Sequence, residues 1–382
     1  MKYTVLLSLL LLINGCSNTS QHPEKKKQNI NYHIIIEQLK YGYIDNKGNV
    51  VIKPKYEKVH LFSDGLAAIK LNKLWGFINK KGKIVINPQF EEVRDFVNGM
   101  ARVKLNGNWG FINKKGKLII NPDLYQAGDF TDNLTWFRKQ NNKTKNGLKL
   151  LSKVGFMDKA GNIIVQPKYF MAANFSEGLA FFELNGKYGY IDTQGNEVIE
   201  AKFNFARSFY GDLAVVNIEN KWGFIDKTGK LVIEPKFDNV NLYSIKNPFQ
   251  NGLALVQLND KWGYINKKGE IKINTEYDEA YDFRDGLALV KINDKWGYIN
   301  PEGTIAIYPR YTDARNFHNG LAGVKIGDRW GYINKEGILS IEAKFDKVTD
   351  FTDGGLALVE IHNYSGYGYI NKKGEIVYKH KY

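Results

Sequence analysis

Between residues 285 and 310 the apolar side chains fall into three short runs divided by polar breaks. The first run spans 286–292 and carries Leu287, Ala288, Leu289, Val290 and Ile292. Asn293-Asp294 interrupts it, Lys295-Trp296-Gly297-Tyr298-Ile299 forms the second, Asn300-Pro301-Glu302-Gly303 breaks again, and 304–307 forms the third, closed by Pro309. Runs this short, rich in β-branched and aromatic residues and bounded by Asn, Asp, Gly and Pro, predict strands joined by tight turns. The unit is expected to be a three-stranded antiparallel meander. Leu287 and Leu289 lie on one face of its first strand, Ala288, Val290 and Ile292 on the other. Both faces are apolar, so both need cover, which a stack of meanders supplies and a lone one cannot.

The breaks can be typed. An Asp or Asn at the first position and a Gly at the fourth is the type I signature, and Pro301 suits the second position through its fixed φ. Gly303 then takes the left-handed conformation of a three-residue hairpin with a bulge. The shorter break, here Asn293-Asp294 and elsewhere Asn106-Gly107, Asn185-Gly186 and Asn259-Asp260, predicts a primed turn with two positive φ values. After the third run comes Pro-x-aromatic, as in Pro88-Gln89-Phe90, and then apolar positions spaced by three, as in Phe90, Val93 and Phe96. That spacing predicts a loop or a single 3₁₀ turn, with a fourth, outer strand as the alternative.

The unit recurs. A heptad of Gly, aromatic, Ile or Met, Asp or Asn, two variable residues and Gly begins at 42, 76, 110, 155, 189, 223, 263, 297, 331 and 368, and six of the nine steps are 34 residues. A period of this length marks a tandem array of small supersecondary units. The residue ahead of the first glycine is Trp in six units (Trp75, Trp109, Trp222, Trp262, Trp296, Trp330), Tyr in Tyr41, Tyr188 and Tyr367, and Val154 in the remaining one. A buried Trp removes roughly 150–250 Å² from water, about 4–6 kcal/mol as an upper bound. Strand glycines mark close backbone approach. Each indole is therefore expected to lie across the strand glycine of a neighbouring unit, with Gly76, Gly110, Gly223, Gly263, Gly297 and Gly331 as the receiving positions. On this reading Trp262→Ala and Gly263→Val weaken the array alike, while Trp136, outside the Trp-Gly set, matters little to stability. Core packing is preferred over a ladder of sugar-stacking platforms, since one aromatic at a fixed strand position is what a packing rule produces. The exchange of Asp158, Asp192 and Asp226 with Asn79, Asn113 and Asn266 at the heptad turn identifies turn residues rather than carboxylate chemistry or calcium ligands.

The stretch 261–269, Lys-Trp-Gly-Tyr-Ile-Asn-Lys-Lys-Gly, resembles the bacterial WG (KWG) repeat. The resemblance covers roughly residues 33–382 and departs at Val154 and the long step from 110 to 155. It implies a β-repeat module common in exported bacterial proteins, with no shared activity. The expected fold is all-β, ten three-stranded meanders in a curved, β-propeller-like array, with an open β-superhelix as the alternative. The first strand is expected at 33–38 and the last at 375–379, so the array starts and stops at whole units.

The N-terminus has a different character. Lys2 precedes an apolar run from Val5 to Ile13, then Gly15-Cys16. The run is far shorter than the ~20 residues a spanning helix needs, so 1–15 reads as an export signal. Leu12-Ile13-Asn14-Gly15-Cys16 resembles a lipoprotein lipobox, departing from it at Ile13 and Asn14. Cys16 is the chain's one cysteine, so no internal disulfide is possible, and it is the expected lipidation site. Residues 16–32, with Lys25-Lys26-Lys27, read as a flexible tether. A bacterial envelope location follows, lipid-anchored at the outer membrane or cell surface.

Net charge is +14. Much of it sits in turns such as Lys80-Lys81, Lys114-Lys115 and Lys267-Lys268, where lysines favour solubility and blunt edge pairing. A basic surface also attracts polyanions, but no nucleic-acid-binding motif accompanies it, so a nucleic-acid partner is not expected. Insertions break the period twice, after Thr135 and at 242–250. The first is basic, and loops on rigid scaffolds carry binding residues, so Trp136, Arg138, Lys139, Lys143 and Lys145 are the candidate contacts; drift in a tolerant loop is the plainer reading. The six histidines are scattered without metal-ligand spacing, and no phosphate loop, dinucleotide fingerprint or nucleophile elbow is present. Neither catalysis, cofactor nor metal is expected. The expected function is a binding or scaffold module contacting an envelope protein or glycan; a surface carbohydrate-binding protein is the alternative, and an envelope hydrolase the weakest reading.

Overall fold

Repeat 8, numbered by the order of the heptads, shows how the pattern folds. Its strands are Ala288–Ile292, Lys295–Ile299 and Ile305–Tyr311, antiparallel, with Val290 opposite Gly297. The computed structural model describes residues 32–37, 39–139, 144–145, 148–149, 152–242, 247–362 and 366–381, and over them the chain is all-β, built of many small antiparallel sheets. The primed turns are as expected: Asn293 and Asp294 have φ of 49° and 59°. At the heptad turn Gly303 N–H donates to Asn300 O at 2.9 Å, and Gly303 has a φ of 82°. The turn acid also caps its own loop, Asp45 Oδ1 accepting from Lys47 N at 2.8 Å and Asn49 N at 3.0 Å, and these bonds hold its carboxyl below the ordinary range against the opposing pull of partial burial.

Three expectations need correction. The third strand does not stop at the proline. It continues through Pro309 to Tyr311, and Trp296 pairs with Tyr311 while Tyr298 pairs with Ile307. Four residues of strand three thus face two of strand two, a bulge at which a proline removes no ladder hydrogen bond. The linker, secondly, is neither loop nor 3₁₀ turn. It forms a two-residue strand, Glu279–Ala280, paired with strand one of the same repeat, so the fourth-strand alternative holds. Val93, in the matching strand Glu92–Val93, is buried together with Phe90 and Phe96.

The third correction concerns the strand glycine. A Cβ on Gly297 would stand 2.6 Å from Ile307 O and 2.6 Å from Pro309 N, and one on Gly76 2.5 Å from Ile86 O and 2.6 Å from Pro88 N. The approach is made by the bulge of the same repeat, not by a neighbour's indole. Repeats meet instead at the last glycine of the heptad: a Cβ on Gly303 would lie 3.3 Å from Ile273 Cγ1 of the preceding repeat, and one on Gly116 3.3 Å from Ile86.

The fold divides into two compact units, one of Met1–Phe62, Phe249–Asn266 and Glu270–Tyr382, the other of Ser63–Pro248 with Lys267–Gly269. In the second unit, the face of repeat 2 carrying Ala68, Phe77 and Ile86 packs on the face of repeat 3 carrying Ala101, Val103 and Ile112. The junctions from repeat 3 to 4, 4 to 5 and 5 to 6 follow the same rule. In the first unit the junctions run from 7 to 8, 8 to 9 and 9 to 10. There, too, Leu356, Leu358, Tyr367 and Tyr369 of repeat 10 pack on Ile35, Ile36 and Ile44 of repeat 1. The end faces that an open stack leaves to solvent cover each other here.

The side chain at the centre of each junction is the aromatic after the strand glycine. It is at most 1 % exposed in all ten repeats. Phe77 meets Phe96, and Tyr298 meets Phe317, with centroids 4.8 Å apart and steeply inclined rings, a geometry contributing about 0.5–1.5 kcal/mol beyond burial. Phe96 and Phe317 lie on the linker entering the next repeat. Where the aromatic is Tyr, its hydroxyl donates to that linker: Tyr298 to Arg315 O and Tyr332 to Thr349 O, each at 2.7 Å. The tryptophans sit at the margin of the same junctions. Trp75 and Trp296 are 9 % exposed, the other four half-buried, with cations over their faces: Lys70 5.9 Å from the Trp75 centroid, Lys291 5.6 Å from that of Trp296.

At the junction from repeat 10 to 1 no linker precedes repeat 1 within the array, and a histidine takes the aromatic's place. His33 is 2 % exposed, lies 5.4 Å from the Tyr369 ring and has Nε2 3.2 Å from Asn46 Oδ1. Burial pushes its pKa down from 6.5 to about 4, against the opposing effects of Asn46 and Asp45. The unfolded chain takes up the proton first as pH falls, so the neutral ring's contribution is full above pH ~6.5 and is lost towards pH ~4, roughly 3 kcal/mol in all. Denaturant unfolding of parent and His33→Phe, compared near neutral pH and near pH ~4, should show the parent losing that increment relative to the variant; parallel pH profiles exclude it. The glycines are separable by the same measurement. Gly286, whose Cβ direction is open and whose φ is +87°, should lose about 1 kcal/mol on Gly286→Ala from backbone strain alone. Gly297→Ala should lose roughly 3 kcal/mol or more, because the bulge must move.

Candidate binding site

Of the residues expected to form the basic contact surface, Trp136, Arg138 and Lys139 have described side chains. Trp136 is half-buried and packs on the core between repeats 4 and 5, so it contributes to stability rather than standing apart. Arg138 is 9 % exposed; its guanidinium donates to Ser152 O and, at 2.5 Å, to Phe170 O. Burial lowers its pKa. Arg138 clamps these two backbone carbonyls. Lys139 is exposed and 3.3 Å from Asp123 Oδ2. Lys145 lies on a short hairpin, Thr144–Lys145 against Leu148–Lys149. Lys143 and Cys16 fall outside the described residues, as do the signal segment and nearly all of the tether.

Much of the turn charge is tied between repeats. The turn ahead of strand one has two positive φ values, as at Asp64 and Gly65. Asp64 accepts from Gly99 N–H of the next repeat at 2.8 Å and pairs with Lys114 Nζ at 2.5 Å. Glu177 and Lys227 repeat the arrangement at 3.2 Å, as do Asn319 and Lys372 at 2.7 Å. The residue before this turn is small and hydroxylic in repeats 2, 4, 5 and 10, and Val97 and Tyr210 in repeats 3 and 6. Ser63 Oγ donates to Phe96 O at 2.8 Å and Ser176 Oγ to Phe209 O at 2.6 Å.

Repeats 8 and 9 instead carry basic side chains at this place, Arg284 and His318. Beside them lie Arg315, Asn316, Asp350 and Asp353. Arg315 N–H donates to Gly323 O at 2.8 Å, and its stem fills the space over Gly323, where a Cβ would meet Arg315 Cδ at 3.2 Å. Gly323 stands where other repeats have Leu289 or Phe181. The Arg315 guanidinium lies 5.5 Å from the Trp330 ring centroid and 3.9 Å from Asp350 Oδ1. His318 Nε2 is 3.9 Å from Asp353 Oδ1. Four buried atoms here have no hydrogen-bond partner among the described residues: Arg315 Nε, Asn316 Oδ1, His318 Nδ1 and Asp350 Oδ1. Burial raises the Asp350 pKa, and Arg315, His318 and Arg284 only partly offset it. The arrangement brings donors and acceptors of both kinds to one junction, with the polar atoms already drawn out of water. Among the described residues no group of three or more His, Cys, Asp or Glu is placed to hold a metal ion.

None of these residues was singled out from sequence. The available signal was the pairing of basic residues before strand one in two consecutive repeats, Arg284 and His318, with Gly323 at a position that is apolar in most repeats.

The fold and this junction define a tandem β-repeat protein with one atypical polar junction. Its repeats match the model of the WG containing repeat at residues 41–75, 75–109, 109–143, 155–188, 188–222, 222–262, 262–296, 296–330, 330–364 and 367–382, and the chain belongs to that family. No curated protein matches it. Among solved structures it resembles a eukaryotic initiation factor at 12% identity and a TM-score of 0.50, over 84% of this chain and 96% of that one. AztD from Citrobacter koseri aligns at 13% identity, TM-score 0.35, over 72% and 92%, and the tricorn protease at 10%, TM-score 0.26, over 91% and 44%. Propeller-like folds are among these neighbours; the likeness concerns fold alone.

Asp350 yields a signed prediction. Its folded pKa lies above the ordinary 3.8, so the folded protein protonates first as pH falls, and the carboxylate costs stability above that folded pKa. Asp350→Asn should raise Tm at neutral pH, and the gain should shrink as pH approaches the ordinary carboxylate range. Thermal melts across that range check it; a Tm lowered at neutral pH contradicts the assignment.

Proposed function

We propose that the chain is a non-catalytic binding module of the bacterial cell envelope, lipid-anchored through Cys16, which takes a hydroxyl-rich glycan at the junction of Arg284, Arg315, Asn316, His318 and Asp350. The observation that carries this reading is the clustering of four buried, partnerless polar atoms on the segments leading into strand one of repeats 9 and 10. An unmet buried donor or acceptor costs about 1–3 kcal/mol, and sugar hydroxyls, which donate and accept, can meet all four. These atoms are closed to solvent, so the side chains over them part to admit the sugar. A ladder of indole platforms is not favoured, since several of the tryptophan faces carry Lys or Arg.

Arg284→Ser and His318→Ser restore the residue type found at Ser63 and Ser176, so the fold should survive both. Titration of envelope polysaccharide fragments into the parent should give saturable heat, weakened at least about tenfold by either variant at unchanged Tm, the loss of one charged or buried hydrogen bond. Equal binding by parent and variants removes the assignment. Labelling cells with radioactive palmitate tests the anchor: the parent should carry label and Cys16→Ser should not.

A further inference from the structure

The repeats act as internal controls for one another, and one stretch of surface exceeds what the fold requires. Strand three opens on two exposed positions in most repeats, the first pair of Ile84–Phe90 and of Leu118–Ala127 for instance. In repeats 5, 7, 8 and 9 one of the two is Glu197, Lys272, Ala306 or Ser340, so folding demands no apolar pair there. Repeats 1, 6 and 10 carry Val50-Val51, Leu231-Val232 and Ile376-Val377, but repeats 2, 3 and 4 set three large apolar pairs in succession within one unit. Ile84, Val85, Leu118, Ile119, Ile163 and Ile164 are each 36–41 % exposed. The heptad turn of each repeat rests on strand three of the one before, Gly116 on Ile86 and Gly161 on Ile120, so the three pairs form one band along the second unit.

Two of the three turns leading into this band, those of repeats 2 and 3, are basic. Residues 79–86 and 113–120 contain no carboxylate, and Lys81, Lys83, Lys115 and Lys117 are exposed beside the apolar pairs. Elsewhere the same turn carries Gln194, Glu302 or Glu336, so three lysines per turn are no more a folding requirement than the apolar pair.

We propose that this band is a membrane-docking surface for anionic lipid, with the lysines at the headgroups and the aliphatic tips at the acyl boundary. Charge complementarity commits it to an anionic bilayer: each Lys near such a surface contributes about 1 kcal/mol, and exposed apolar side chains add transfer free energy that a soluble polyanion cannot supply. It is distinct from the glycan junction, which lies in the other unit, and from any lipid on Cys16. Its consequence is orientation, since a tether alone leaves the array free to tumble.

The test uses residues 17–382, which keep every described element while removing the apolar leader and the acylation site. Vesicles of phosphatidylcholine mixed with phosphatidylglycerol should pellet this protein in a salt-sensitive manner, and vesicles of phosphatidylcholine alone should not. Lys115→Glu with Lys117→Glu should lower the partition coefficient at least about 20-fold. Leu118→Glu and Ile119→Ser, which copy Glu197 and Ser340 of other repeats and so keep the fold, should each lower it several-fold, while Ile305→Ser in repeat 8 should leave it unchanged. Melting curves confirm folding of every variant. The proposal is overturned if anionic vesicles fail to bind the parent, if the lysine pair has no effect, or if the apolar variants bind as the parent does; the last outcome identifies a site for soluble polyanions.

Discussion

The structure depends on one contact made again and again: the aromatic after the strand glycine, sunk between two sheets and set against an aromatic on the linker that leads into the next repeat. Phe77 with Phe96 and Tyr298 with Phe317 show the geometry. Because the partner sits on the connecting segment, the contact does two things together. It buries a large ring at the centre of the junction, and it fixes where the next meander begins. The tyrosine hydroxyl adds a hydrogen bond to the same segment. A meander of three short strands has too little core to stand alone. Joined through these rings, each repeat borrows half its core from the next.

The glycines and prolines follow from this arrangement. A linker that must carry its aromatic under the sheet leaves strand three bulged over strand two, and the bulge rests on the bare backbone of the strand glycine. Proline is suited to the bulge because no ladder bond is asked of it there. The bulge does not require the proline, since repeats 5, 7 and 9 keep it with Ala201, Thr275 and Ala343 in its place. Strand three of repeat 10 is not bulged at this point: its residues pair one for one across Tyr367, Gly368 and Tyr369, and a Cβ on Gly368 would lie 3.1 Å from Tyr378 O.

The candidate site and the apolar band share a logic. In an array that repeats its own solution, a departure is visible against nine other copies. Arg284 and His318 put basic groups at a position that is Ser or Thr in repeats 2, 4, 5 and 10, Gly323 stands at a mostly apolar one, and polar atoms beside them are left unmet. Leu118 and Ile119 occupy positions where other repeats tolerate Glu or Ser. The departures could be read from the chain, but not their meaning, because nothing in the sequence shows that Arg315 and Asp350, from different linkers, converge.

The sequence by itself determined the strands, the turn types and the number of repeats, since alternation, Asn-Asp and Asn-Gly pairs and closing glycines act over a few residues and have few local solutions. It also indicated that both faces of each meander would be covered. Only the tertiary structure decided which residues cover them. The tryptophan drew attention by its size, yet it lies at the margin of the junction, and the ring two residues further along the same strand face holds the centre, because the linker of the next repeat packs on that ring. The direction of the glycine's close approach, the path of the chain through Pro309 and the burial of Arg138 likewise depend on what lies across a junction, and that is set by three-dimensional packing, beyond the reach of any local pattern.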